Sequence, residues 1–168
     1  KITLGHPRRF CFVSNSTLRL SYGKVEGSLP RDGVVYGAFS TLDGVVDKHV
    51  PGDTEFDVPQ RLLDLHAAKD YGDYGANGTM PVCFTSSLHT TGGNSGSPVL
   101  NARGELIGLN FDRTWESTMS DIQFDPDKCR NICVDLRYVL FIVDKFAGAK
   151  HLVDEMQVIR PSKTKAIP

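Results

Sequence analysis

The sequence has little that would indicate a membrane protein or a nucleic-acid-binding protein. Its longest apolar run, Tyr138 to Val143, has six residues, far short of the ~18 residues that span a bilayer. The 19 basic residues are balanced by 20 acidic ones, and the formal net charge is -1. No attraction to nucleic acid or to an anionic membrane surface is therefore expected. The start, Lys1 to His6, lacks the apolar segment of a signal peptide.

Cysteine is also scarce, with four residues in 168. Cys11 and Cys83 lie among apolar residues and are predicted to be buried thiols. Cys129 and Cys133 would stand roughly 13 Å apart in a strand, too far for a disulfide, whereas a helix or bend would bring them within reach. The sequence leaves that pairing open. It has no further Cys or His pair with the spacing of zinc ligands, so no zinc site is expected. Nothing else in the sequence implies a metal or an organic cofactor.

The distribution of glycine and proline predicts many short elements. We expect an uncertain N-terminal segment over residues 1–14, one domain over 15–158 and a disordered tail over 159–168. Short strands with turn signals, plus a few helices, indicate a mainly β fold with flanking helices, in the form of a β-barrel. The predicted strands are 16–25, 34–40, 80–84, 97–101, 105–111 and 131–135, and the predicted helices are 60–71, 137–147 and 150–156.

Two of these elements carry more detailed expectations. The strand at 16–25 should place Leu18, Leu20 and Tyr22 on one face. The helix at 60–71 should begin with Asp57 as its cap and Pro59 in its first turn. The buried stripe of this helix should contain Leu62, Leu63, His66 and Ala67.

The segment Gly92 to Leu100 has the composition that a serine nucleophile needs. Such a serine stands on a tight turn, with neighbouring N–H groups directed at the developing oxyanion. Gly93 and Gly96 allow that backbone, and the N–H groups of Gly93 and Ser95 would form the oxyanion hole. The alternative is a glycine-rich hairpin turn with incidental serines. The order that follows, a strand, a hairpin and a further strand, favours the nucleophile Ser95.

Four motifs resemble the bacterial dipeptidyl-peptidase 7/11 family of serine exopeptidases. The resemblance covers residues 15–156 and implies the second β-barrel of a chymotrypsin-like double-barrel peptidase. Full-length members are several times longer, so the chain would be their C-terminal part. The motifs are Asn15 to Gly23 (NSTLRLSYG), Gly93 to Arg113 (GNSGSPVLNARGELIGLNFDR), Asp125 to Asp127 (DPD) and Asp135 to Phe141 (DLRYVLF).

The resemblance implies release of dipeptides from peptides with a free N-terminus. Asp112 matches the position that binds the terminal ammonium. Arg113 matches the position at which the dipeptidyl-peptidase 7 type has glycine and the dipeptidyl-peptidase 11 type has arginine. The dipeptidyl-peptidase 11 type prefers Asp or Glu as the second residue of its substrate. A guanidinium suits a carboxylate because it can donate paired hydrogen bonds. Thr91 and Gly92 should form one wall of the substrate pocket, and Asn110 and Phe111 the other.

The other members of a catalytic triad are not evident in this chain. Enzymes of this fold place His, then Asp, then Ser along the sequence, and the family carries the first two far upstream. His49, His66 and His89 precede Ser95, but none has a protease-like setting. An unassisted serine is a weak nucleophile, so we expect the isolated chain to be inactive.

Two other functions stay open on the sequence. A glutamyl endopeptidase has a similar nucleophile turn but cuts internal bonds and needs no amine-binding carboxylate. A non-catalytic interaction domain could keep the protease fold by descent. The resemblance further implies the upstream half of the same enzyme as a partner, a homodimer of the full-length enzyme, and a place in the bacterial periplasm or at the cell surface.

Overall fold

The computed structural model describes residues 19–159, which form two compact units. The first unit contains residues 19–40, Cys83–Val99 and Gly108–Asp135. The second contains Thr41–Val82, Leu100–Ile107 and residues 136–159. The expected N-terminal segment, Cys11 and nearly all of the expected tail lie outside the described residues. The single domain expected over 15–158 thus contains two units.

Most strands belong to one sheet of five strands, ordered β3-β4-β7-β6-β5. Strand β7 runs antiparallel to both β4 and β6. A separate antiparallel pair consists of β1 and β2. The fold is therefore a mixed one with antiparallel sheets and a few helices. The strands are β1 (Ser28–Arg31), β2 (Val34–Tyr36), β3 (Phe39–Thr41), β4 (Pro81–Ser86), β5 (Pro98–Leu100), β6 (Leu106–Arg113) and β7 (Asn131–Asp135).

The predicted strands from residue 80 onward are confirmed, and the two before it need correction. The predicted strand at 16–25 is wrong over its described part. Residues 19–24 have no regular structure, and Leu20 and Tyr22 are 87% and 78% exposed. Alternating polarity forms a strand only when one face is covered, and here only Val25 makes a bridge, to Ser86. The strand expected at 34–40 is interrupted at Gly37 and Ala38, which separate β2 from β3.

The helices are short, and the first was not predicted. The predicted helix at 60–71 ends at Ala67 because Lys69 adopts φ 50° and the Asp70 N–H bonds to the Leu65 carbonyl at 3.0 Å. This arrangement is the Schellman motif. Within 19–159 no helix is long and apolar enough to cross a membrane. The helices are α1 (Leu42–Asp47), α2 (Gln60–Ala67), a 3₁₀-helix (Gly72–Tyr74), a second 3₁₀-helix (Trp115–Asp121), α3 (Leu136–Phe141) with a π-helical continuation (Ile142–Phe146), and α4 (Lys150–Asp154).

Helix α2 begins differently from the prediction. Its N-cap is Pro59, and no side chain caps it, so Asp57 does not have the expected role. On its predicted buried stripe, Leu62 is buried and Leu63 and His66 are half-buried, but Ala67 is exposed. The buried stripe of α2 is therefore narrower than expected.

The two units are stabilised by different interactions. The second unit has the apolar core, in which Tyr71 and Phe141 pack edge to face with their ring centroids 6.1 Å apart. The interior of the first unit is richer in polar groups, which are hydrogen-bonded. The core of the second unit contains Leu42, Val58, Leu62, Tyr71, Tyr74, Met80, Leu140, Phe141 and Val153, and the buried polar residues of the first are Ser28, Ser86, Asn110, Ser117, Ser120, Arg130, Asn131 and Asp135.

The structure also settles the cysteines that the sequence left open. Cys129 and Cys133 are buried free thiols, because Cys133 lies within the extended strand β7 and Cys129 precedes it. Burial raises the pKa of Cys133 to about 11. Cys83 is a half-buried thiol whose pKa is also raised, mainly by burial. Neither Cys83 nor Cys133 is therefore a reactive thiolate near neutral pH.

Candidate active site

The glycine-rich segment forms a tight turn anchored on strand β6. Gly93 and Gly96 have φ 92° and 82°, in the left-handed region where glycine has no steric penalty. The Gly96 N–H donates to the Asn110 carbonyl at 2.7 Å, and the Asn110 N–H donates to the Ser97 carbonyl at 2.9 Å. These two bonds fix both sides of Gly96 to β6, so the turn has a defined position.

A second set of hydrogen bonds shapes the approach to the turn. The Thr91 N–H donates to Asn94 Oδ1 at 2.8 Å, and the Asn94 N–H donates to the Thr91 carbonyl at 3.2 Å. The Ser97 N–H then donates to the Asn94 carbonyl at 3.0 Å. Asn94 therefore organises the turn through its side chain and its backbone together.

Ser95 is exposed at the tip of this turn. Its Oγ donates to the Phe111 carbonyl at 3.2 Å. Across the described range, the N–H groups of Gly93 and Ser95 donate to no acceptor. An exposed hydroxyl beside two unused N–H groups has the composition of a nucleophile with an oxyanion hole.

The histidines considered from the sequence have other partners. His66 Nε2 lies 2.8 Å from Asp43, which also accepts hydrogen bonds from Thr79 and Thr41. These hydrogen bonds, led by that from Thr79, lower the pKa of Asp43 to about 2. His49 Nδ1 accepts the Val58 N–H at 3.0 Å.

His89 is the histidine nearest in sequence to Ser95. Its Nε2 lies 3.2 Å from the Ser120 carbonyl, and its ring packs on Phe124 with centroids 4.6 Å apart. No histidine in the part of the chain that the structure describes hydrogen-bonds to Ser95.

Strand β6 has an irregularity that the sequence did not predict. Asn110 pairs with Cys133 and Asp112 with the adjacent Ile132, so Phe111 is an extra residue in β6. Such a bulge interrupts the alternation of side chains along a strand. It lies directly before Asp112 and Arg113, so simple alternation does not determine where these two side chains point.

Arg113 has a partner on its own chain. Its Nη1 and Nη2 each donate to one carboxylate oxygen of Asp121 at 2.8 Å, and Nη1 also donates to Ser120 Oγ at 3.0 Å. Thr91 Oγ1 donates to the same carboxylate at 2.8 Å. The hydrogen bonds from Arg113 and Thr91 lower the pKa of Asp121 to about 2. Asp121 was missed because it ends a 3₁₀-helix with no clear periodicity.

The remaining predicted site residues are close in sequence but differ in exposure. Asp112 and Phe111 are exposed on β6, and Asp112 Oδ1 accepts the Arg113 N–H at 2.8 Å. Gly92 is exposed and Thr91 half-buried on the approach to the turn. Their roles in substrate binding stay predictions.

Asn110 differs from these because its side chain is buried, with 5% of the residue exposed. Its Nδ2 donates to the Asn94 carbonyl at 3.1 Å, and its Oδ1 accepts from Asn131 Nδ2 at 2.8 Å. Asn131 in turn accepts a short hydrogen bond from Ser86 Oγ. Besides the predicted role in the pocket wall, Asn110 therefore joins the glycine-rich turn to the buried strands.

Replacing Asn131 by alanine is expected to destabilise the chain by about 2–4 kcal/mol, because Asn110 Oδ1 and Ser86 Oγ would lose their buried partner. The midpoint of urea unfolding of the 168-residue chain measures the change. Gln123→Ala, at an exposed position, is the matched control and should leave the midpoint unchanged. Equal midpoints for the two variants would contradict a stabilising role for this network.

Comparison with known proteins shows the family to which this chain belongs. Residues 10–158 match the Peptidase S46 family. The chain is 66% identical over 148 residues to an Asp/Glu-specific dipeptidyl-peptidase of Capnocytophaga gingivalis, covering 88% of this chain and 21% of that protein. It is 63% identical over 150 residues to the Flavobacterium psychrophilum protein of the same name, covering 89% and 21%.

The structure of this chain is also similar to a solved crystal structure. The crystal structure of Porphyromonas endodontalis DPP11 in complex with the dipeptide Arg-Asp matches with a TM-score of 0.80 and 55% identity, over 82% of this chain and 20% of that one. The chain thus spans about one fifth of the length of the relatives it matches. The family match covers most of the chain and agrees with the family resemblance of its sequence motifs. This chain belongs to the Peptidase S46 family of serine dipeptidyl peptidases.

Proposed function

We propose that the chain is the nucleophile-bearing second β-barrel of a serine dipeptidyl peptidase that releases N-terminal dipeptides ending in Asp or Glu. The observation that carries this proposal is the exposed Ser95 hydroxyl beside the unused N–H groups of Gly93 and Ser95. The names of the relatives support the choice of acidic substrates.

In this function Ser95 Oγ attacks the carbonyl carbon of the substrate's second residue. A general base from the upstream half takes the hydroxyl proton, and the N–H groups of Gly93 and Ser95 stabilise the oxyanion. The C–N bond then breaks, and the proton passes to the leaving amine. Water hydrolyses the acyl-enzyme, which releases the dipeptide as an acid and restores Ser95.

Two neighbouring residues would select the substrate. Asp112 is exposed and would bind the terminal ammonium, which lies at a fixed distance from the bond that is cut. Arg113 would bind the acidic side chain of the second residue through charge-assisted hydrogen bonds. Both residues follow directly on Phe111, whose carbonyl holds the Ser95 hydroxyl, so selection and chemistry would use the same end of β6.

Exposed apolar side chains on the first unit support the proposal that the upstream half of the enzyme is its partner. Six of its large apolar residues are more than 60% exposed, whereas most of its buried residues are polar. Covering these side chains with another part of the protein would remove their apolar surface from water, which is favourable. The upstream half of the enzyme is the partner we propose for them. The six are Leu20, Tyr22, Leu29, Val35, Trp115 and Ile122.

Blocking the substrate's N-terminus tests the dipeptidyl-peptidase function against the glutamyl endopeptidase alternative. With the complete peptidase, acetylation of a Xaa-Glu substrate should abolish turnover, because Asp112 would lose its ammonium partner. Asp112→Asn should lower kcat/KM for the free substrate about 100-fold or more, the scale of a lost charge pair that the bound substrate would shield from water. The matched control Asp127→Asn, at an exposed carboxylate, should have no effect. Cleavage of the acetylated peptide, followed by mass spectrometry, would favour the endopeptidase.

A further inference from the structure

The Arg113 guanidinium has an incomplete set of partners on its own chain. It offers five N–H donors in one plane. Three have acceptors: two at Asp121 and one at Ser120 Oγ, which belongs to a residue only 4% exposed. The Nε–H and the second Nη2–H have no acceptor between residues 19 and 159.

The geometry of these contacts identifies which edge of the guanidinium is unused. Asp121 binds across Nη1 and Nη2, the outer end of the fork, and Ser120 binds the remaining hydrogen of Nη1. The side edge formed by Nε and Nη2 is the other place where a carboxylate can bind with two parallel hydrogen bonds. Arg113 therefore keeps two donors for a second carboxylate while Asp121 stays in place.

Asp121 is itself held from a second direction. Thr91 Oγ1 donates to Asp121 Oδ1 at 2.8 Å, and Thr91 lies on the approach to the nucleophile turn. Asp121 thus connects the segment before Ser95 with the end of strand β6. Because Asp121 binds both Thr91 and Arg113, it links the orientation of the Arg113 side chain to the turn that carries Ser95.

We propose that Asp121 is a positioning residue for substrate selection: its pair with Arg113 holds the guanidinium so that the Nε–Nη2 edge receives the carboxylate of the substrate's second residue. This inference rests on the proposed function. Asp121 touches no reacting atom in this scheme and acts only through Arg113.

Two physical effects of removing the Asp121 carboxylate have opposite signs. Loss of the end-on pair frees the Arg113 side chain, and substrate binding must then pay the entropy of ordering it. Loss of a nearby negative charge would instead favour an acidic substrate. The direction of the change in affinity therefore distinguishes a positioning residue from a competitor for Arg113.

The experiment uses the complete peptidase with Ser95→Ala, so that binding is measured without turnover. Isothermal titration with the dipeptides Arg-Asp and Arg-Asn separates recognition of the acidic side chain from recognition of the rest. Asp121→Asn and Asp121→Ala should each raise the Kd for Arg-Asp about tenfold, the scale of a lost charge-assisted contact. The Kd for Arg-Asn should change less than about twofold, because the amide makes little use of the guanidinium charge.

Two further variants serve as controls. Asp121→Glu keeps the negative charge and should lose less affinity for Arg-Asp than Asp121→Asn does. Asp127→Asn removes an exposed carboxylate that does not pair with Arg113 and should leave both Kd values unchanged.

Three outcomes would count against the proposal. An unchanged or lower Kd for Arg-Asp in Asp121→Asn would overturn it, and a lower one would identify Asp121 as a competitor. Equal losses for both dipeptides would indicate general damage to the pocket and overturn it as well. If neither dipeptide binds while Asp121 is intact, the proposed function fails, and this inference fails with it.

Discussion

Replacing Ser95 by alanine in the complete peptidase is expected to lower kcat/KM for a Xaa-Glu substrate by about 10⁴-fold or more. The loss is this large because the acyl-enzyme can no longer form, and only binding and the oxyanion donors would still assist the reaction. Ser95 is exposed and bonds to a backbone carbonyl rather than to a buried group. Its replacement should therefore leave the fold intact.

Ser97 provides a matched control two residues away on the same turn. Its backbone groups bond to Asn94 and Asn110, and these bonds survive replacement by alanine. Ser97→Ala should retain activity within about threefold, as expected for a side chain outside the reaction. A fluorogenic dipeptide assay measures both variants. Labelling of Ser95 by an organophosphonate, followed by mass spectrometry, gives an independent measure of the nucleophile.

The 168-residue chain alone should show no turnover in the same assay, because its serine lacks a hydrogen-bonded base across residues 19–159. Turnover by the isolated chain that Ser95→Ala abolishes would show that the base lies within it. Undiminished activity of Ser95→Ala in the complete peptidase would refute the assignment of the nucleophile.

The second large effect is expected at Arg113. Arg113→Gly in the complete peptidase should lower kcat/KM for substrates with Asp or Glu as second residue about 100-fold or more, because the pocket loses its charged donors. The variant also leaves the Asp121 carboxylate without its guanidinium partner, and that negative charge would repel an acidic side chain. Apolar second residues should be accepted in their place.

Cleavage of a peptide library, read by mass spectrometry, measures this shift in selectivity. Arg103→Gly is the matched control because Arg103 pairs with Glu105 in the exposed hairpin turn between β5 and β6. It should leave the cleavage pattern unchanged. An acidic preference that survives Arg113→Gly would show that another residue selects the substrate.

A feature was predicted correctly from the sequence where a few neighbouring residues determine it, and incorrectly where it depends on the rest of the fold. The hairpin around Gly104 is confirmed because its determinants are local: Gly104 has φ 79°, and Asn101 and Glu105 bond across the turn at 2.9 Å. The strand predicted at 16–25 failed over its described part because its pattern required a covering surface that the described residues do not supply. Helix α2 ended early because Lys69 adopts a conformation that helix periodicity does not encode.

By itself, the sequence determined the glycine-rich turn around Ser95, the strands next to it and the family resemblance. Glycine conformations and alternating polarity act over a few residues, so they can be read directly from the chain. Only the tertiary structure decided that Arg113 pairs with Asp121, that Asn110 is bound inside the first unit, and that Cys129 and Cys133 stay thiols. The reason is physical: each of these depends on the exact distance and direction between side chains, which a one-residue bulge or an irregular helix changes without leaving a pattern in the sequence.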